Sequence, residues 1–258
     1  MSNYLKSNST NDSPHDKPLL TVPSKGVAIN NRMVDLLKEL IVLKSGSCLT
    51  PEFRVLFSSY LDLFDQYQTT ILEHNQMTVT CGSGCSCCCN HWVEDVNSFE
   101  GAIICDYIEK NFPERIAAII KTCEKDLKQL EHLEKTMLSH PEVSRTPDDQ
   151  LDQIDLLLAV FYQFKRPCPL LDNNGRCSVY PVRPITCRIY ISFSDPSRCE
   201  PEYINEDDVP TYLLDAQEEV SELLDTLHFK YLAFEGNTGL RSLLLSYFIQ
   251  SDRNSCTD

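Results

Sequence analysis

Apolar residues return at helical spacing from the first third of the chain onward. Met33, Leu36, Leu37, Leu40 and Ile41 predict one helix. Thr50 then stands as an N-cap ahead of Pro51, the order that suits a first helical turn. The helix it opens has Phe53, Leu56, Phe57, Tyr60, Leu61, Phe64 and Ile71 on its apolar face. Residues 94–111 predict another helix. So do residues 114–139, with Ile116, Ile119, Ile120, Cys123, Leu127 and Leu130 on one side. Thr146-Pro147 opens a further helix carrying Leu151, Ile154, Leu157, Leu158 and Phe161. Two more are expected around residues 208–227 and 239–249.

Two segments break this rhythm. Residues 76–93 contain no Asp, Glu, Lys or Arg. Residues 165–200 have a different texture, with a turn signal at Asn173-Asn174-Gly175. There Val179-Tyr180 and residues 188–193 are β-prone, while Pro181 and Pro184 interrupt regular pairing. Short strands and tight loops are expected. No repeat at a solenoid period is evident. Residues 1–28 are rich in Ser, Asn, Asp, Lys and Pro and read as a disordered tail. The division predicted is a tail (1–28), a helical N-terminal region (29–77), a cysteine-rich domain (78–200) and C-terminal helices (201–258). The fold class expected is mainly α, with helices packed around a small irregular cysteine-rich metal core and short β segments.

Charge narrows the partners. The formal charge of -15 argues against a general nucleic-acid or acidic-membrane binder, which needs a basic face. Glu200 to Asp225 holds acidic residues and no Lys or Arg, and reads as a solvated helix face with its leading loop. Lys165, Arg166, Arg176, Arg183, Arg188 and Arg198 stand against only Asp172 and Asp195. Cations there would offset a negative thiolate centre. No window approaches the ~20 apolar residues of a membrane span, and Met1 to Pro18 lacks the apolar stretch of a signal peptide. A cytoplasmic location is expected, where thiols stay reduced.

In that compartment the cysteines change the picture most. Of 13, nine fall into two groups: Cys81, Cys85, Cys87, Cys88 and Cys89, then Cys168, Cys177, Cys187 and Cys199. Crowded thiolates repel and oxidise unless something holds them, and a soft metal or an iron–sulfur cluster is the obvious holder. A disulfide framework fits less well, because the number is odd and a chain of 258 residues can bury a core unaided. Gly82 and Gly84 let the Cys81–Cys88 loop wrap and aim amides at sulfur. The neighbours Cys88 and Cys89 rarely share one ion without strain, so different metals or one free or bridging thiol are both open. Cys199 could complete a four-sulfur site with Cys168, Cys177 and Cys187, or the second group could join the first. Zinc and iron–sulfur clusters want the same thiolates, and the spacing does not separate them.

The constellation resembles a known family. Cys81-x3-Cys85-x2-Cys88-Cys89, Cys168-Pro-Leu-Leu and Cys177-Ser-Val-Tyr-Pro-Val-Arg-Pro-Ile-Thr-Cys187-Arg are similar to the YkgJ-type cysteine-cluster proteins, the zinc- or iron-chelating CxxCxxCC domain. The resemblance spans about residues 78–200 and includes the helix over 93–108. It implies Cys81, Cys85, Cys88, Cys89, Cys168, Cys177 and Cys187 as metal ligands, and zinc or iron as cofactor. Cys87 is an extra thiol against that pattern. Related flagellin lysine N-methylases carry a similar domain. The Cys-x3-Cys-x2-Cys loop also matches radical S-adenosylmethionine enzymes, but helical periods, few glycines and the lack of an aromatic residue before Cys88 set that reading aside.

Other residues carry less. His91 is a further candidate ligand. Cys123 and Cys105 read as core, Cys48 and Cys256 as peripheral thiols, and Trp92 as a shield or core residue. No Ser-His-Asp order, phosphate loop or dinucleotide fingerprint rises above chance. The leading expectation is a metal-binding protein whose helices or acidic segment offer a surface to a protein partner. The alternatives are an iron–sulfur redox or protein methyl-transfer enzyme and a thiol redox sensor.

Overall fold

The computed structural model describes residues 20–82, 84–139, 153–203, 211–232 and 239–255. Most of residues 1–28, the start of the helix expected at Thr146-Pro147 and Cys256 lie outside them. Eight α-helices are described: α1 (Ser24–Val42), α2 (Pro51–His74), α3 (Ser98–Asn111), α4 (Ile116–Ser139), α5 (Gln153–Gln163), α6 (Ile185–Ile189), α7 (Glu218–Lys230) and α8 (Leu240–Ser255). The two described strands, β1 (Tyr190–Ser192) and β2 (Thr211–Leu213), pair antiparallel, with Tyr190 opposite Leu213. The protein is mainly α.

The α2 start follows from its sequence. Thr50 Oγ1 accepts from the Phe53 N–H at 3.3 Å, and Pro51 occupies the first turn where no N–H is needed. Its aromatic face then meets α3: Phe57 lies edge-on to Phe99 at 5.2 Å, and Phe53 approaches the same ring at 6.0 Å. With α1 and α7 these residues form a first core.

A second core joins α3, α4 and α8 through Ile104, Cys105, Ile108, Ile119, Cys123, Leu243, Leu244 and Phe248. Helix α3 therefore stands between two cores, with Phe99, Ala102 and Ile103 on the first. That explains why residues 98–105 are buried on every side of the helix. A side chain at Gly101 would meet Leu243 at 3.2 Å, so the glycine sets how closely α3 and α8 approach.

Several boundaries differ from expectation. Residues 24–28, expected in the tail, begin α1. Helix α3 starts at Ser98 rather than residue 94, because Asn97 and Glu100 form a reciprocal capping box. Residues 188–189, expected as strand, complete α6 after Pro184, and Tyr180–Val182 form a single 3-10 turn. Helix α7 begins ten residues later than expected, at Glu218, with β2 ahead of it. No described helix is long and apolar enough to cross a membrane.

Candidate functional site

The two cysteine segments meet in space. The Cys168 N–H donates to the Cys89 carbonyl at 2.7 Å. The first segment runs through a turn closed by Cys85 N–H on the Gly82 carbonyl at 3.0 Å, then a 3-10 turn over Cys87–Asn90. Gly84 takes a φ of 95°, which a side chain would strain, whereas Gly82, expected to serve the same wrap, does not take a positive φ. In the second segment Asp172 Oδ1 accepts from the N–H groups of Asn174 and Arg176, both at 2.8 Å, and Gly175 sits at φ 73°. That turn brings Cys177 opposite Leu171. Cys187 lies on α6, whose first N–H, that of Ile185, reaches Glu100 Oε1 at 2.8 Å.

Several of the clustered thiols lie within electrostatic reach of one another. Cys89 feels Cys88, Cys168 and Cys187; Cys187 feels Cys168, Cys88 and Cys177. Cys81 feels Cys85, Cys199 and Cys88, whereas Cys87 feels Cys85 and Cys199. Cys88 is the thiol that both sets feel. The Cys168–Cys89 bond brings the two cysteine segments together, and the 3-10 turn carrying Cys87 packs against the one carrying Cys199. Every cysteine among the described residues is free. Among those residues, no three His, Cys, Asp or Glu side chains close on one point as the ligands of a metal ion do.

Burial pushes the thiols of Cys168 and Cys187 up, Cys187 well above its ordinary value. Cys88 goes the other way, below its ordinary value, because the neighbouring Cys89 thiol outweighs desolvation and Arg183 adds to the pull. The cations near sulfur are only partly those expected. Arg183 acts on Cys88, Cys177 and Cys187, and its guanidinium lies 4.3 Å from the Tyr180 ring centre. Arg188 instead reaches Asp65 at 2.7 and 2.8 Å and the Pro181 carbonyl at 2.8 Å. Its role is to hold the 181–188 segment onto α2. Lys165 pairs with Glu200 and Glu202.

Arg241, which the sequence reading passed over, is the buried cation of the site. Its Nε donates to Asp126 Oδ2 at 2.9 Å, and Arg166 reaches Asp126 Oδ1 at 3.3 Å. The other guanidinium nitrogens donate to the carbonyls of Arg166 and Pro167, both at 3.3 Å, and of His91 at 3.5 Å. One side chain therefore clasps the residues flanking both cysteine segments, and it favours the thiolate of Cys168. Asp126 lies three residues after Cys123 on the predicted apolar face of α4, so a carboxylate on a buried stripe was the signal for this pair.

An aromatic shelf covers the site. His91 stacks on Tyr162 at 3.5 Å, and the Tyr162 hydroxyl donates to the Cys199 carbonyl. Burial lowers the His91 ring to about 4, which keeps it neutral at ordinary pH. Trp92 is buried edge-on to Phe161 at 5.0 Å and 5.1 Å from Arg241. It belongs to the clasp. Cys123 and Cys105 are core residues as expected, whereas Cys48 is buried rather than peripheral.

No family model matches the chain, and no similar curated protein or solved structure is found.

Proposed function

We propose that this chain is a cytoplasmic metal-binding protein of YkgJ cysteine-cluster type, its thiols holding zinc or an iron–sulfur cluster. The observation that carries the reading is the Cys168–Cys89 backbone bond, which joins the two cysteine-rich segments. The donor set is almost wholly sulfur, which suits a soft or borderline metal and poorly suits calcium or magnesium. Free neutral thiols gain little from being buried side by side, and a metal would make such a cluster cohesive. Cys81, Cys85, Cys88, Cys89, Cys168, Cys177 and Cys187 would hold it, with Arg183 and Arg241 offsetting the negative charge that thiolate ligands bring. When bound, zinc supplies a fixed tetrahedral anchor, and a cluster adds electron transfer.

Elemental analysis with an absorption spectrum, on protein purified without oxygen, tests this. Zinc without visible absorption identifies a structural module. Iron with acid-labile sulfide and absorption near ~400 nm identifies a cluster. Metal-free, folded protein rejects the reading.

A further inference from the structure

Helix α7 carries two stripes on opposite sides. Val220, Leu224 and Leu227, with Tyr231 at the helix end, are buried in the first core, where α7 packs on α1. Two residues out of step with them run Glu218, Glu222, Asp225 and Phe229, then Leu232 just past the helix, all of them exposed. An offset of two residues is about 200° of helical turn, so this second stripe points away from α1. Phe229 is 73% exposed and Leu232 43%. Lys230 Nζ donates to the Ile41 and Leu43 carbonyls at 2.7 and 2.6 Å. That bond brings the end of α1, with Val42 at 74% exposure, to the same end of the helix pair. The carboxylates of the stripe are not offset. Glu219, one position away, pairs with Lys38, but among the described residues no Lys or Arg pairs with Glu218, Glu222 or Asp225.

We infer that this outer face of α7 docks a basic amphipathic helix of a partner protein, whose Lys or Arg residues meet Glu218, Glu222 and Asp225 while its apolar residues cover Phe229 and Leu232. The inference does not depend on the metal-binding reading. A single exposed apolar side chain is ordinary. An apolar patch continuing into unpaired charge of one sign is an interaction surface. The stripe does little for α7 itself. Glu218 suits the positive end of the helix dipole, but Glu222 and Asp225 lie beyond the first turn, and their spacing makes like charges neighbours. A partner with cations at the same helical spacing relieves that repulsion, and amphipathic helices present such a register. Charge sets the other occupants aside. A second copy laid antiparallel about Asp225 puts Asp225 against Asp225 and Glu222 against Phe229, and a parallel copy sets each carboxylate on its equal. An anionic membrane is repelled by the same stripe and by a net charge of -15.

The test is fluorescence anisotropy of the full chain with synthetic helical peptides. The probe carries arginines and leucines at the spacing of the stripe, in either order along the peptide. Its controls replace the arginines by glutamates or the leucines by serines. The expected result is binding of the probe alone, weakening as salt rises. Phe229→Ser should weaken it about tenfold or more. Glu222→Lys/Asp225→Lys should abolish it, and both substitutions lie on an exposed face and should leave the helical circular-dichroism spectrum unchanged. No binding of the probe, equal binding of the glutamate peptide, or indifference to both variants overturns the inference. Sedimentation that shows a dimer lost in Phe229→Ser would give the face to a second copy instead. Binding to phosphatidylserine vesicles lost in the same variant would give it to a membrane, and either result also overturns the inference.

Discussion

The backbone N–H of Cys168 lies 2.7 Å from the carbonyl of Cys89, and this bond joins the two cysteine segments. Arg241 repeats the join from the side, taking the carbonyls of His91, Arg166 and Pro167. Assembly of the thiols is thus built into the polypeptide through a hydrogen bond and a buried guanidinium.

Arg241→Met should be costly. It leaves Asp126, itself buried, with Arg166 as its remaining ion-pair partner at 3.3 Å and releases three carbonyls. Removing one partner of a buried pair costs about 3–5 kcal/mol. Arg241→Lys should recover little, because an ammonium cannot span the same acceptors. Denaturant unfolding of both variants measures the loss. A change below about 1 kcal/mol would assign the clasp no structural weight.

The helices were largely legible in the sequence, and the site only in part. Phe53, Phe57, Tyr60 and Phe64 announce α2 by their spacing, and Thr50-Pro51 announces its start. The start of α3 was not, because Glu94 and Asp95 look helical until the Asn97–Glu100 box is seen to cap the helix later. Periodicity marks which residues are buried; it is silent on which buried charge meets which. Arg241 lies on the same face as Leu244 and Phe248, so its pairing with Asp126 depends on how α4 and α8 cross. The place of Cys199 depends on the Tyr162 hydroxyl, which donates to its carbonyl, in a segment with no periodicity to read.

Arg188 and Asp65 should respond unequally. Arg188 is 4% exposed and Asp65 is 52% exposed, so water replaces the partner on one side only. Asp65→Asn leaves the buried Arg188 guanidinium without its counter-charge and should cost about 3–5 kcal/mol. Arg188→Ala leaves Asp65 to water but strips the Pro181 and Arg183 carbonyls of their donor, and should cost less, about 1–3 kcal/mol. Equal losses in thermal unfolding would contradict this geometry.

Glu94 gives a pH signature. Burial pushes its carboxyl from 4.5 up to about 7. The folded chain holds that proton more tightly than the unfolded chain does. Its stabilising effect is therefore present below the ordinary value and lost as pH rises through about 7. Relative to the parent chain, Glu94→Gln should gain stability across that window and hold the gain above it. Paired urea titrations at pH 4.5, 6 and 8 follow the difference, and a flat one would refute the burial.

Cysteine variants should divide by place. Cys168→Ser or Cys187→Ser should remove most of the metal and much of the fold, through loss of a ligand. Cys123→Ser should keep the metal and cost stability alone, since Cys123 is a core residue of the second cluster. Metal-to-protein ratios of the purified variants decide it. Equal metal loss from Cys123→Ser would break the ligand assignment.

The most direct measurement is X-ray absorption at the metal edge of protein purified without oxygen. The account predicts a first shell made of sulfur, near ~2.3 Å for zinc or of the cluster type for iron. A first shell of oxygen and nitrogen, or a chain carrying no metal, would contradict it.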